Sequence, residues 1–127
     1  MQPLRDRIGS LGRIVYGDGF SVSLGEDLAI VSRRYAGASV PFASLSTGAK
    51  EQLGILVRLA AALTVAEDGG VPVILDDTLG NTDPERLRSM GAVLGRVAEA
   101  CQILVLTCSP ERFRSLGDVR VVRLADT

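Results

Sequence analysis

An apolar run that ends in two carboxylates, Val71 to Leu75 followed by Asp76 and Asp77, limits what this chain can fold into more than any other stretch. The run is continuous rather than alternating and is bounded by glycines and acids. That pattern fits a strand of a parallel sheet, buried on both faces. A parallel strand reaches its neighbour through a crossover, and the following residues supply one. Asp83-Pro84-Glu85 opens a helix, with Asp as N-cap, Pro at the first helical position and an acid in the first turn. The spacing predicts that this helix runs to about Ala100 and buries Leu87, Met90, Leu94 and Val97. A second buried strand, Ile103 to Thr107, comes next, then a short turn or helix from Pro110 to Leu116, then a final strand from Val119 to Leu124. Strand, helix, strand, short helix and strand argue for an α/β fold with parallel strands and right-handed crossovers.

Upstream, a helix is expected from about Gly48 to Glu67. Leu53, Leu56, Ala60 and Leu63 form its apolar stripe, and Asp68-Gly69-Gly70 stops it. Phe20 to Leu24 and Leu28 to Ser32 alternate around Gly25-Glu26-Asp27, which reads as an antiparallel β-hairpin. Gly17-Asp18-Gly19 is a turn before it. Gly37, Pro41 and small polar residues make a loop after it. At the beginning, Leu4, Ile8 and Leu11 recur at helical spacing, consistent with the end of a helix.

A chain of 127 residues is the size of one domain, and a hydrophobic content of 46% can build its core. Aromatics make up 4% and Trp is absent, so that core is mainly Leu, Val, Ile and Ala. The 14 basic and 15 acidic residues balance, giving no broad nucleic-acid footprint, though a local DNA contact stays open. Cys101 and Cys108 have six residues between them in a chain with no His, which is not a zinc-binding arrangement. Both flank an apolar run and read as reduced, buried thiols. No apolar stretch approaches the ~20 residues of a membrane span, and no signal core precedes the domain, so a cytoplasmic protein is expected.

Three segments carry chemistry. At Leu45-Ser46-Thr47-Gly48-Ala49-Lys50-Glu51-Gln52 a loop turns into the long helix. A helix start offers free N–H groups and partial positive charge to an anion, Gly48 permits close approach, and Ser46 adds a hydroxyl. The plainer reading is an ordinary Ser N-cap. Asp76 and Asp77 lie at the carboxyl edge of a parallel strand, where ligands of open α/β sheets gather. One carboxylate there suits a hydrated Mg²⁺ and the other an attacking water; the plainer reading is a polar strand terminus and helix cap. Thr107-Cys108-Ser109 would lie at the same edge, or mark a strand-to-turn junction and nothing more.

Taken in order and spacing, the three resemble the C-terminal lobe of an ABC-type ATPase head, in the branch shared by SMC-like, RecF-like and RecN-like proteins. Leu45-Ser46-x-Gly48 is similar to the family's signature motif, and the fuller L-S-x-G-x-x-x-Q form, with Gln52, to a bacterial SMC-like subgroup. The resemblance implies that Ser46 and Gly48 contact the γ-phosphate of an ATP held on a partner head. Val73-Ile74-Leu75-Asp76-Asp77 resembles Walker B, with Asp76 associated with Mg²⁺ through water and Asp77 in the position of the catalytic Glu. Asn81-Thr82-Asp83 looks like the D-loop, which crosses the dimer interface. Thr107-Cys108-Ser109-Pro110 resembles the switch region, Ser109 standing where many members have His. Thr47 replaces the first Gly of the common signature. With the shorter Asp77 and an uncharged Ser109, slow hydrolysis is expected, since displacement by about 1 Å can cost on the order of 10²-fold in rate.

No G-x-x-x-x-G-K-[ST] phosphate loop occurs in the sequence. The resemblance therefore implies a P-loop NTPase fold supplied in part. Residues 1–13 would be the end of a coiled-coil helix, 14–40 a β-hairpin and loop, and 41–127 the ATPase C-terminal lobe. ATP and Mg²⁺ would be bound only in an assembled head, with partners in an N-terminal Walker A lobe of the same or another chain, a second ATPase head and, in the full assembly, DNA. An alternative is a catalytically inactive ABC-like interaction module. Asp77, Ser109 and the missing loop favour that alternative; Ser46, Gly48 and Asp76 favour the ATPase component.

Overall fold

A computed structural model describes residues 2–66, 71–80, 82–116 and 119–124. Helix α1 runs from Gln2 to Tyr16, longer than the expected 1–13. Leu4, Ile8, Leu11 and Val15 recur every three or four residues and are all buried, which explains why one face of α1 lies on the core. Gly17, at φ +89°, ends the helix in the left-handed conformation that glycine adopts without steric penalty, and its N–H closes onto the Arg13 carbonyl at 2.9 Å.

Strands β1 (Ser21–Leu24), β2 (Ile30–Tyr35) and β3 (Ala38–Pro41) form an antiparallel sheet in that order. The expected hairpin is its first two strands. The loop expected after Gly37 is instead partly a third strand. Tyr35 pairs with Ala38, so Ala36 and Gly37 alone make the turn, at φ +55° and +79°. Two left-handed residues in succession match the twist of the flanking strands. Ala36 lacks the Asn or Asp identity that would have signalled such a turn. A 3₁₀ turn over Phe42–Ser44 leads into α2, Thr47–Ala66, which buries Leu53, Leu56, Leu59 and Ala60.

Strand β4 (Val73–Asp76), helix α3 (Pro84–Val97) and strand β5 (Ile103–Leu106) form one parallel crossover unit. Asp83 caps α3 by accepting from the Arg86 N–H at 2.9 Å, and Leu87, Met90, Leu94 and Val97 are buried. The residues expected to the end at Ala100 lie outside the regular helix, in a turn. A 3₁₀ segment, Pro110–Leu116, packs beside α3. Helix α1 packs on both α2 and α3, so the core lies between the three helices, with each sheet at its margin.

The structure departs from expectation in the parallel strands, in the segment from Val119 and at Cys108. The parallel strands are covered on one face only: Val73 and Leu75 point inward, while Ile74, Leu104 and Leu106 remain 48%, 42% and 49% exposed. The cover for a second layer is not present among the described residues. Val119 to Leu124 forms no strand, and Val121, Val122 and Leu124 are exposed. Its β-branched composition favours an extended chain, but a strand requires a partner ladder, and none is made there. Of the two cysteines, Cys101 is buried as expected whereas Cys108 is exposed; both are free thiols.

Candidate functional site

Ser46 sits at the start of α2. Its Oγ accepts from the Ala49 N–H at 3.1 Å and its carbonyl accepts from the Lys50 N–H at 2.9 Å. This is N-cap geometry, the plainer of the two sequence readings, and it fixes the hydroxyl beside the free N–H groups of the first turn. Leu45 is buried and anchors the junction, Gly48 is buried, and Ser46 itself faces solvent. The helix start is thus held in place from behind and open in front.

The second group lies at the end of the parallel pair. Asp76 is in register with Leu106, and the Asp77 N–H donates to the Leu106 carbonyl at 2.8 Å, carrying the ladder one residue further. Both carboxylate residues are exposed. Asp77 has φ +51° and Leu79 +64°, so the chain leaves the strand through a tight left-handed bend. On β5, the Thr107 hydroxyl accepts from the Ser109 N–H at 2.9 Å, which curls the chain over the same sheet edge. The structure therefore brings Asp76, Asp77, Thr107 and Ser109 to the C-terminal edge of adjacent parallel strands.

It does not bring Ser46 there. The Arg58 guanidinium donates to the Ile74 carbonyl, so the middle of β4 meets α2 twelve residues past Ser46, and Thr82, beyond the strand end, meets it at Gln52, six residues past Ser46. Among the described residues no hydrogen bond joins Ser46 to the sheet edge. Of Asn81, Thr82 and Asp83, Asn81 lies outside the described residues. Thr82 is buried rather than presented to solvent, and Asp83 is exposed and engaged as the α3 cap.

Motif spacing singled out Gln52 but not what it holds, and gave no sign of Arg112, Tyr16 or Arg86. The Arg112 guanidinium donates to the carbonyls of Leu79 at 2.9 Å and Thr82 at 3.1 Å. Gln52 donates its amide to the Thr82 hydroxyl at 3.2 Å and accepts from the Tyr16 hydroxyl at 2.6 Å. Tyr16 stacks on Phe20, with ring centroids 5.0 Å apart, and meets Tyr35 edge-on at 5.2 Å. The Arg86 guanidinium lies 4.4 Å from the Tyr16 ring centre and donates to the Val15 carbonyl and the Tyr35 hydroxyl. Burial pushes the Tyr16 hydroxyl pKa above its usual value of 10.0, while Arg86 and Arg33 pull the other way. The phenol is a neutral donor at physiological pH.

No three His, Cys, Asp or Glu side chains converge among the described residues into a protein-only metal cage. One or two exposed carboxylates at a strand end do suit Mg²⁺, which keeps several waters and takes phosphate oxygens as further ligands. No helix among the described residues is long and apolar enough to cross a membrane.

No family model matches the chain. Uncharacterized proteins of Mycobacterium tuberculosis and Mycobacterium bovis are 50% identical over 113 residues, which is 89% of this chain and 13% of each relative. The chain thus spans about 13% of the length of the curated relatives it matches. Among solved structures, the SMC head domain from Thermotoga maritima aligns with a TM-score of 0.72 at 18% identity, over 93% of this chain and 41% of that one. A chain from work on ATP-driven dimerization and DNA-stimulated activation of SMC ATPases gives the same TM-score at 14% identity, over 98% of this chain and 79% of that one. The mixed α/β fold is similar to that of an SMC head domain.

Proposed function

We propose that the chain is the signature and Walker B part of an ATPase head of the SMC-like, RecF-like and RecN-like branch, within the L-S-x-G-x-x-x-Q subgroup. The observation that carries this reading is the shared edge of β4 and β5, where Asp76 and Asp77 on one strand stand beside Thr107 and Ser109 at the end of the next. The Ser46 hydroxyl is bonded only within its own helix turn, which supports a site composed across two heads: Ser46 and Gly48 of one would face the phosphate bound at the carboxylates of the other.

In this reading residues 41–127 are the C-terminal lobe of the P-loop fold, 1–13 the end of a coiled-coil helix, and 14–40 the hairpin region between them. Asp76 holds hydrated Mg²⁺ and Asp77 orients or deprotonates water. Mg²⁺, when bound, neutralises charge developing on the phosphate oxygens. Ser109 occupies the switch position without supplying charge, and Asn81, Thr82 and Asp83 form the D-loop segment at the head interface. An N-terminal lobe in the same or another chain brings the phosphate loop. The apolar side chains Ile74, Leu104 and Leu106 on the open sheet face support such a covering lobe. A second head completes the ATP site, and DNA is the partner of the whole assembly in chromosome maintenance or repair. The second reading, an inactive ABC-like interaction module, draws on Asp77, whose shorter reach is combined with a left-handed backbone.

The test supplies the matching phosphate-loop lobe and follows ATP-dependent dimer formation by light scattering together with phosphate release. Ser46→Arg is expected to abolish dimerisation while nucleotide still binds the partner lobe. Asp76→Ala should weaken Mg²⁺-dependent binding, and Asp77→Asn should give dimers that persist because the water step fails. Normal dimerisation by Ser46→Arg would return Ser46 to the role of an ordinary helix cap. Normal dimerisation with no phosphate release from the unaltered chain would select the inactive module.

A further inference from the structure

Thr82 is gripped from two sides. Its hydroxyl accepts from Gln52, and its carbonyl accepts from Arg112. Gln52 in turn accepts from Tyr16, the last residue of α1. Tyr16, Gln52 and Thr82 are only 7%, 5% and 6% exposed, so the chain of hydrogen bonds runs from α1 through α2 to the bend after β4 out of contact with water. Each link is then costly to break, because a buried donor or acceptor left unpaired has no solvent to replace its partner. The bend itself contains Asp77 and Leu79 in the left-handed region, conformations that persist in non-glycine residues when their surroundings over-determine them.

We propose that Gln52 is a positioning residue that makes the conformation of the bend after β4, described at residues 77–80 and 82–83, depend on where α1 ends. The chemistry of the side chain suits the task. One primary amide accepts with its oxygen and donates with its nitrogen, so a single residue can take a hydrogen from a phenol and give one to a hydroxyl. An ionised carboxylate lacks the donor. If α1 shifts and withdraws Tyr16, the buried Gln52 oxygen loses its partner, and the amide satisfies it only by rotating away from Thr82. The bend then keeps the Arg112 clamp alone. What this means for hydrolysis rests on the role proposed for Asp77; the coupling itself does not.

Hydrogen exchange of the chain, measured without nucleotide, tests the coupling separately from the ATP site. The variants are Tyr16→Phe, which removes one oxygen and keeps the ring, Thr82→Val, which keeps the shape, and the double variant. Tyr16→Phe is expected to accelerate exchange in peptides covering the 77–83 bend about fivefold, the effect of one buried hydrogen bond, although among the described residues Tyr16 has no hydrogen bond to the bend. Mid-α2 amides around Leu59 and the β4 amides should change less than twofold. The double variant should exchange no faster than the faster single variant, because both break the same chain of bonds. An unchanged bend in Tyr16→Phe, a uniform acceleration across the protein, or additive single effects would each overturn the proposal. None of these outcomes bears on whether Ser46→Arg blocks dimerisation.

Discussion

The two sheets of this molecule finish their outer faces in opposite ways. In the antiparallel sheet, Val22 points inward beneath α1, and Ser21, Ser23, Arg34 and Ser39 point out. Val31, an exposed apolar residue, sits at the irregularity where the pairing shifts from Ser23–Ser32 to Leu24–Ile30. In the parallel pair, Val73 and Leu75 point inward, yet the outward positions Ile74, Leu104 and Leu106 are just as apolar. A half-covered antiparallel sheet is stable in water when its outer face is polar, whereas parallel strands ordinarily sit between two layers. The first sheet is composed for solvent and the second for a covering layer.

The contrast breaks most visibly if the sealed region tolerates damage. Phe20 is 1% exposed, stacked on Tyr16 and packed against α1. Phe20→Ala is expected to cost about 3–5 kcal/mol in chemical denaturation. A loss below about 1 kcal/mol would mean that the α1–β1 junction is not the packed region described. A sharper probe is Gly12, where an added Cβ would lie 2.0 Å from Phe20 Cε2. Gly12→Ala should therefore destabilise by about 1–3 kcal/mol through overpacking, even though alanine favours helix intrinsically. Stabilisation by this change would show that the ring has room to move. The smallest effect belongs to the open face. Ile74→Ser with Leu106→Ser should alter stability by no more than about 1 kcal/mol while reducing self-association in sedimentation velocity. A loss comparable with that of Phe20→Ala would show that these residues are already in a core.

Helices were the most legible part of the sequence, because burial imprints a period on them. Leu4, Ile8 and Leu11 marked α1, and Asp83-Pro84-Glu85 marked the start of α3. The sheets were less legible. The apolar run at β4 carries the composition of a strand covered twice, and composition reports what a face is made of, not what lies on it. The Ala36–Gly37 turn escaped because alanine rarely takes φ +55°, and the valines after Val119 had propensity without a ladder. For the site, the motif spacing singled out the segments, and the fold sets Asp76 and Ser109 at one edge with Ser46 as the cap of α2. The contacts around Thr82 left no local signal: Tyr16 and Gln52 are 36 residues apart, and Gln52 and Thr82 are 30. Arg112 is one arginine among 14 basic residues until the bend folds against it.

Arg58 gives the parallel pair a polarity that its two strands alone would lack. Val73 and Asp77 donate toward β5, so the Ile74 carbonyl between them points to the other side, and the Arg58 guanidinium occupies it. A newcomer strand approaching beside β4 must first evict a cation from its acceptor, while the far side of β5 carries no such plug among the described residues. The sheet therefore has two unlike edges, and the one on the β4 side already has an acceptor taken.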